Sequence, residues 1–185
     1  MKKSTAPGML LLRDLPRYEM LQEKAKRYPE LDASAVEATL VLLRVASDVF
    51  EGMSAHLARH DISQGRFMVL VLLDRYSHGE GVLPSGIAEQ LDVTRATVTG
   101  LLDGLEKCAL ISRQMHPEDR RAFCIELTPK GREFLAEMLP GHYKRIAGLM
   151  AHLSESEQRQ LVKLLSKVSH GQNALHDEDW TPSEN

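Results

Sequence analysis

Hydroxyl-bearing and cationic side chains gather in the middle of the sequence, where "VTRATVTGLLDGLEK" is followed shortly by "HPEDRRAFCIEL". Such groups donate hydrogen bonds to phosphate oxygens and to base edges, and they do not by themselves make or break bonds. The stretch from Arg95 to Arg132 holds seven Lys/Arg and five Asp/Glu, a balance of +2, in a chain of 185 residues whose net charge is -3. The positive charge is therefore local, which indicates a surface for an anionic partner.

The segment from Thr94 to Lys107 has the spacing of an amphipathic helix. Its apolar positions share one face: Val98, Leu101, Leu102 and Leu105. The opposite face carries Ala96, Thr99, Gly100 and Asp103, with Arg95 at its edge. Small side chains let a helix lie close to base edges, and a helix N-terminus favours phosphate. The alternative is an ordinary amphipathic helix with an uncharged outer face.

Two alternating runs, Leu110 to Met115 and Ala122 to Thr128, predict a pair of strands around a charged tip. In the second run the pattern predicts that Phe123, Ile125 and Leu127 point inward and that Cys124 and Glu126 point outward. At the tip, Asp119 and Arg121 are two residues apart and share a side of an extended chain. Asp119 could hold the Arg121 guanidinium toward a narrow minor groove, and Arg120 would reach a phosphate.

The other segments predict helices around this part. They are an arm broken by Pro16 and Pro29, a long helix from Leu31 to about His60, a helix from Gln64 to Tyr76, a short helix from Ser85 to Leu91, a helix opened by Thr128 and Pro129 with a possible bend at Pro140, and a last helix opened by the capping box Ser154 to Glu157. The predicted fold is mainly α with a small β-wing, a winged helix-turn-helix plus further helices.

Several function classes find no support in the sequence. No spacing of His, Cys, Asp and Glu makes a metal set, and neither a Gly-rich phosphate loop nor a nucleophile elbow is present. We therefore expect no enzyme activity, no cofactor and no metal. The apolar run Met9 to Leu12 is too short for a signal peptide, and no stretch could span a bilayer, so a cytoplasmic protein is expected.

The stretch "LDVTRATVTGLLDGLEKCALISRQMHPEDRRAFCIELTPKG" resembles the winged-helix core of the MarR family of bacterial transcriptional regulators. The matching pieces are the "TVTxLLDxLE" helix, the "LISR" strand, the "DRR" wing and the "LTPKG" helix start. The resemblance extends from about Leu31 to Ser169, and the long arm and "FLAEMLPGHY" are more similar to the multidrug-efflux repressor branch than to the shortest members.

This resemblance implies a homodimer that binds an inverted repeat in double-stranded DNA. By this resemblance, Arg95, Ala96, Thr97 and Thr99 match recognition-helix contacts, Ser85 and Arg113 match phosphate contacts, and Asp119 and Arg121 match the wing pair whose arginine enters the minor groove. The predicted DNA-binding set also includes Thr94, Gly100 and Arg120. Gly100 departs from the pattern, because many relatives have a long polar or basic residue there. The implied organisation is an arm at 1–30, a helical dimerisation region at 31–62 and 129–171, a DNA-binding domain at 63–128 and a flexible tail at 172–185.

Relatives of this type commonly bind a small aromatic or phenolic compound between the dimer helices and the winged helix. The residues placed to line such a site are Phe50, Met53, Phe67, Met68 and Val71. The alternative for each is a plain core residue. Two other functions stay open: a winged-helix module that binds protein instead of DNA, and a redox switch at Cys108 or Cys124.

Overall fold

A computed structural model describes residues 14–76, 81–115 and 123–176. The elements in chain order are α1 (Tyr18–Ala25), α2 (Ala33–Ala58), α3 (Gln64–Arg75), α4 (Pro84–Leu91), α5 (Arg95–Lys107), β1 (Ile111–Met115), β2 (Phe123–Leu127), α6 (Pro129–Leu149), α7 (Glu155–His170) and a 3-10 helix, Gln172–Leu175. The fold is mainly helical with a two-stranded antiparallel sheet, as the sequence predicts. The predicted helices are confirmed with small changes at their ends.

The chain divides into two compact units, Met1–Arg132 and Glu133–Asn185. In the first unit α5 contacts α3, α4 and β1, while β2 contacts α3 and α4. The core of this unit is apolar, and its most deeply buried side chains are Leu57, Val69, Leu70, Ile87, Val98, Leu102, Leu105 and Ile125. This packing holds the outer face of α5 at the surface.

Helix starts follow the sequence closely. The Asp32 carboxylate accepts hydrogen bonds from the backbone N–H groups of Ser34 and Ala35 and so caps α2. The bonds from Ala35 and Ser34 also lower the pKa of Asp32. Ser154 and Glu157 form the predicted capping box of α7. In the second unit α6 continues through Pro140 as one helix, so the proline does not interrupt it.

Among the described residues, three that are not glycine have a left-handed backbone conformation: Asp61, Asp92 and Ala109. Each follows a helix. After α5, the Ala109 N–H donates to the Glu106 carbonyl and the Leu110 N–H donates to the Leu105 carbonyl, a Schellman motif. Because these turns fix where each next segment begins, they orient α3, α5 and β1 after the helices that precede them.

The sequence pattern predicts the wrong side-chain direction, inward or outward, at two positions of β2. Cys124 is 4% exposed and Phe123 is 53% exposed, the reverse of the alternation read from the sequence. The reason is a third segment: Val82 forms a bridge with Ile125. Just before it, a side chain on Gly81 would lie 2.5 Å from the Cys124 Cβ atom. Residues 81–82 therefore cover Cys124.

Candidate nucleic-acid interface

The first turn of α5 is fixed by its N-cap. The Thr94 hydroxyl oxygen accepts a hydrogen bond from the Thr97 N–H at 3.2 Å, and the two threonine hydroxyls lie 2.9 Å apart. Thr94, which belongs to the predicted DNA-binding set, thus has a structural role that the sequence reading did not assign. The cap sets the position of Arg95, the next residue.

The outer face of α5 is exposed as predicted. Arg95, Ala96, Thr97, Thr99 and Gly100 are all exposed, while the opposite face is buried. The Thr99 hydroxyl donates to the Arg95 carbonyl at 3.0 Å, and a Cβ on Gly100 would meet open space. One arginine, two hydroxyls and small groups thus form a shallow surface near a helix N-terminus.

Helix α4 and its turn hold α5 in place. Asp92 has φ 50°, the Val93 N–H donates to the Ala88 carbonyl, and the Asp92 N–H donates to the Glu89 carbonyl. Ser85 is exposed in the first turn of α4, and no side chain caps that end of the helix. The first N–H groups of α4 are therefore placed to hydrogen-bond an anion.

Arg113 of β1 is engaged with α5. Its Nη2 atom lies 2.5 Å from Oδ1 of Asp103, and its Nε atom lies 3.3 Å from Oε2 of Glu106. All three side chains keep substantial exposure, between 36% and 50%. The resemblance implies that Arg113 contacts phosphate, whereas here its guanidinium is paired with two carboxylates of its own chain.

The strands pair with Arg113 opposite Ile125 and Met115 opposite Phe123. Residues 116–122, which include the predicted tip residues Asp119, Arg120 and Arg121, lie outside the described residues. The structure therefore describes the strands on either side of these residues, and the proposed groove contact of Arg121 stays a prediction.

The MarR family model matches residues 62–123. This segment contains α3, α4, α5 and β1 and ends at the first residue of β2. The transcriptional repressor YetL of Bacillus subtilis is 37% identical over 85% of this chain and 93% of its own length. The chain belongs to the MarR family. It is accordingly a transcriptional regulator, and its family is not one of enzymes.

Three further comparisons agree. The transcriptional repressor MprA of Escherichia coli is 29% identical over 83% of this chain and 86% of its own length. A mutant of MepR from S. aureus superposes with a TM-score of 0.60 at 26% identity, covering 72% of this chain and 96% of that one. Another MepR mutant, solved with a bound oligodeoxyribonucleotide, has a TM-score of 0.50 at 27% identity, covering 71% of this chain and 95% of that one.

The two cysteines of this MarR family chain differ in environment. Cys108 follows α5 and is exposed, and Cys124 is buried in β2. Burial raises the pKa of the Cys124 thiol, and the negative charge of Glu126 raises it further. The thiolate, the reactive form of cysteine, is therefore disfavoured at Cys124.

The five residues proposed to line an effector site do not share one environment. Phe67 is 3% exposed in the core, Phe50 and Met68 are exposed, and Met53 and Val71 are half-buried. They nevertheless lie on α2 and α3, two helices in contact.

Within the described ranges 14–76, 81–115 and 123–176, no group of three His, Cys, Asp or Glu side chains could hold a metal ion. In the same ranges, no helix is long and apolar enough to cross a membrane.

Three supporting contacts were not read from the sequence. Asp103 and Glu106 pair with Arg113, a side chain on Gly104 would overlap the Arg66 guanidinium, and Lys130 Nζ donates to the Cys108 carbonyl at 2.9 Å. The i, i+3 spacing of Asp103 and Glu106 is a signal that they share one face of α5. Nothing in the sequence indicates which cation they meet, because Arg113 comes from another element.

Proposed function

We propose that this MarR family regulator is a repressor that binds an inverted-repeat DNA operator as a homodimer, and that a small aromatic or phenolic compound releases it. In this proposal it acts in the cytoplasm and uses no cofactor. Ser85, Arg95, Ala96, Thr97, Thr99 and Gly100 would face the major groove and its phosphates, and Arg121, oriented by Asp119, would enter the minor groove beside Arg120.

The outer face of α5 is the observation that carries this proposal. Five of the six positions from Arg95 to Gly100 are exposed, and none of these five residues carries a negative charge. A solvent-facing helix usually presents charged residues, and a Glu at any of these positions would repel the anionic DNA. A surface of methyls, hydroxyls and one guanidinium fits the major groove, where threonine and alanine methyls meet thymine and arginine meets guanine or phosphate.

The homodimer is supported by apolar side chains left at the surface of each unit. In the first unit, Val41, Val45 and Phe50 of α2 are exposed. In the second unit, α7 buries no residue, and Val162 and Val168 are 64% and 56% exposed. Burying one such side chain fully is worth about 1.5–3 kcal/mol, so a second copy that covers these faces would stabilise the protein.

Repression is supported by YetL and MprA, which are both transcriptional repressors. The effector is supported by the apolar side chains of α2 and α3, two helices in contact, above all by Met53 and Val71, which are half-buried. Thioether and aliphatic groups adapt to flat apolar ligands. The protein-interaction alternative has no specific feature of the fold in its favour.

Operator binding tests the proposal directly. The DNA upstream of the coding region is titrated with protein between about 50 and 200 mM salt. Binding should weaken steeply as the salt concentration rises, because the release of counterions from the DNA then contributes less to the binding free energy. Arg95→Ala should weaken binding by roughly 1–3 kcal/mol for each base that Arg95 reads, about tenfold or more. Arg59→Ala is the matched control, an exposed arginine in the segment assigned to dimerisation, and it should bind as the wild type does. Equal weakening in both variants, or no salt-dependent binding, would point to the protein-interaction alternative.

Footprinting tests the operator symmetry and the effector. Two copies of α5, the proposed recognition helix, related by a two-fold axis should protect two half-sites whose centres are about 10 bp apart. A panel of phenolic acids should contain a compound that reduces protection, and Met53→Ala should change that response more than it changes binding without the compound. An unsymmetric footprint contradicts the homodimeric operator, and a response unchanged by Met53→Ala contradicts the placement of the effector.

A further inference from the structure

Arg113 joins the hairpin of β1 and β2, called the wing hairpin, to α5, the proposed recognition helix. It does so through two different nitrogens, each paired with a different carboxylate. Nη2 lies 2.5 Å from Asp103, and Nε lies 3.3 Å from Glu106. Asp103 and Glu106 are three residues apart on α5, so their side chains leave the same face of that helix. Only a guanidinium has donors spread widely enough to serve both at once.

The two carboxylates would otherwise oppose DNA binding. Asp103 is exposed, and it follows Thr99 and Gly100 along the outer side of α5 by one helical turn. A negative charge at that place faces the same partner as Arg95 does. With Arg113 between them, the three side chains carry a net charge of -1 instead of the -2 that the carboxylates carry alone, and Asp103 also accepts a hydrogen bond from the guanidinium.

Arg113 also sits where it controls the direction of the hairpin. It is the third residue of β1, and the strand ends two residues later at Met115. Ile111 at the start of β1 is anchored in the core, whereas Arg113, Gln114 and Met115 are exposed. Beyond the core anchor, the two ion pairs of Arg113 tie the outer half of β1 to α5.

We infer that Arg113 is a positioning residue and not a phosphate contact: it sets the wing hairpin at a fixed angle to the recognition helix and offsets one of the two negative charges of Asp103 and Glu106. This inference rests on the proposed function for its effect on DNA. Its effect on the hairpin can be measured without DNA.

The DNA-binding test is a cycle of substitutions measured with operator DNA at several salt concentrations. In the wild-type background, Arg113→Ala should weaken binding about tenfold, because it exposes two carboxylates and frees the hairpin. In the background of Asp103→Asn with Glu106→Gln, the same change should cost threefold or less, because the partners of Arg113 are already gone. Arg95→Ala should cost the same in both backgrounds.

A phosphate contact would give the opposite result. Neutralising the carboxylates would free Arg113 for DNA, so Arg113→Ala would cost at least as much there, and the salt slope would fall by about 0.9 per subunit. Arg113→Lys separates the two roles further, because lysine keeps the charge but cannot hold both carboxylates. A loss of about threefold supports positioning, and wild-type affinity overturns it.

Hydrogen exchange on the DNA-free protein completes the test. In Arg113→Ala, amides of β1 and β2 should exchange several-fold faster, while those of α3 keep the wild-type rate. Unchanged exchange in the hairpin overturns the inference even if DNA binding is abolished. If the wild-type protein binds no DNA yet the hairpin loosens as expected, the proposed function has failed and the positioning role has not.

Discussion

The Thr128 hydroxyl donates a hydrogen bond to the Ala109 carbonyl over 2.7 Å, so the residue before α6 is tied to the turn that follows α5. The same hydroxyl oxygen accepts from the Gly131 N–H at 3.0 Å, and the Thr128 N–H donates to the Leu110 carbonyl at 3.1 Å. Lys130 adds a bond from Nζ to the Cys108 carbonyl. The start of α6 is therefore hydrogen-bonded directly to the turn that follows α5.

Thr128→Val should destabilise the protein by about 1–3 kcal/mol, because it keeps the shape of threonine but removes both hydroxyl bonds and leaves a carbonyl and an N–H unsatisfied. Urea denaturation followed by circular dichroism measures the change. Thr99→Val is the matched control, since the exposed Thr99 hydroxyl bonds only a carbonyl within its own helix. Similar destabilisation in both variants would contradict the role given to Thr128.

Ala109→Gly should stabilise the protein by about 0.5–1 kcal/mol. Ala109 has φ 58° at the end of α5, a left-handed conformation that costs a residue with a Cβ and not glycine. The denaturation midpoint should rise without a change in slope. Ala136→Gly, at an exposed position inside α6, should lower stability by about 1 kcal/mol. A loss of stability at both sites would mean that the backbone of Ala109 carries no strain.

The order of elements was predictable because each depends on local chemistry. The spacing of Val98, Leu102 and Leu105 sets the buried face of α5, and Ser154 with Glu157 sets the start of α7. These signals lie within a few residues of the element they define. Family membership was predictable for the same reason, since the matching motifs are continuous stretches of sequence.

The contacts between elements were not predictable in this way. The facing of Cys124 depends on Gly81, which lies more than forty residues earlier in the sequence, and alternation within β2 alone gave the wrong answer. The pairing of Arg113 likewise depends on how the hairpin crosses α5. The resemblance matches Arg113 to a phosphate contact, and the sequence carries no signal for its pairing with Asp103 and Glu106, because those residues belong to another element.

Gly131→Ala should destabilise the protein by about 1–3 kcal/mol, because the new Cβ would overlap the Leu110 carbonyl oxygen, a backbone atom that cannot turn aside. Gly100→Ala should instead stabilise it by roughly 1 kcal/mol, since its Cβ meets open space and alanine is the better helix former. Thermal denaturation of both variants checks this difference in sign. Equal effects would show that the close approach of α6 to Leu110 is not required.

Thiol labelling should distinguish the two cysteines and test the redox alternative. In the folded protein one thiol per chain should react quickly, and Cys108→Ser should remove that fast reaction. Cys124 should react only after denaturation, because it is buried and its raised pKa keeps the thiol protonated at neutral pH. Mild peroxide should leave operator binding of Cys108→Ser unchanged. Fast labelling of Cys124 in the folded protein would restore the case for a redox switch.

Gly100→Lys should strengthen DNA binding while making it less selective. A side chain at this exposed position points away from every neighbour, so the lysine is free to reach a phosphate. Two additional cations per dimer should steepen the salt dependence by about 1.8, and affinity at low salt should rise for operator and unrelated DNA alike. Titrations of both DNAs against salt measure this. Gly148→Lys is the control, an equally open glycine on α6, with dimer formation checked by light scattering; it should leave the salt dependence unchanged. If Gly100→Lys also leaves it unchanged, the outer face of α5 does not lie against DNA.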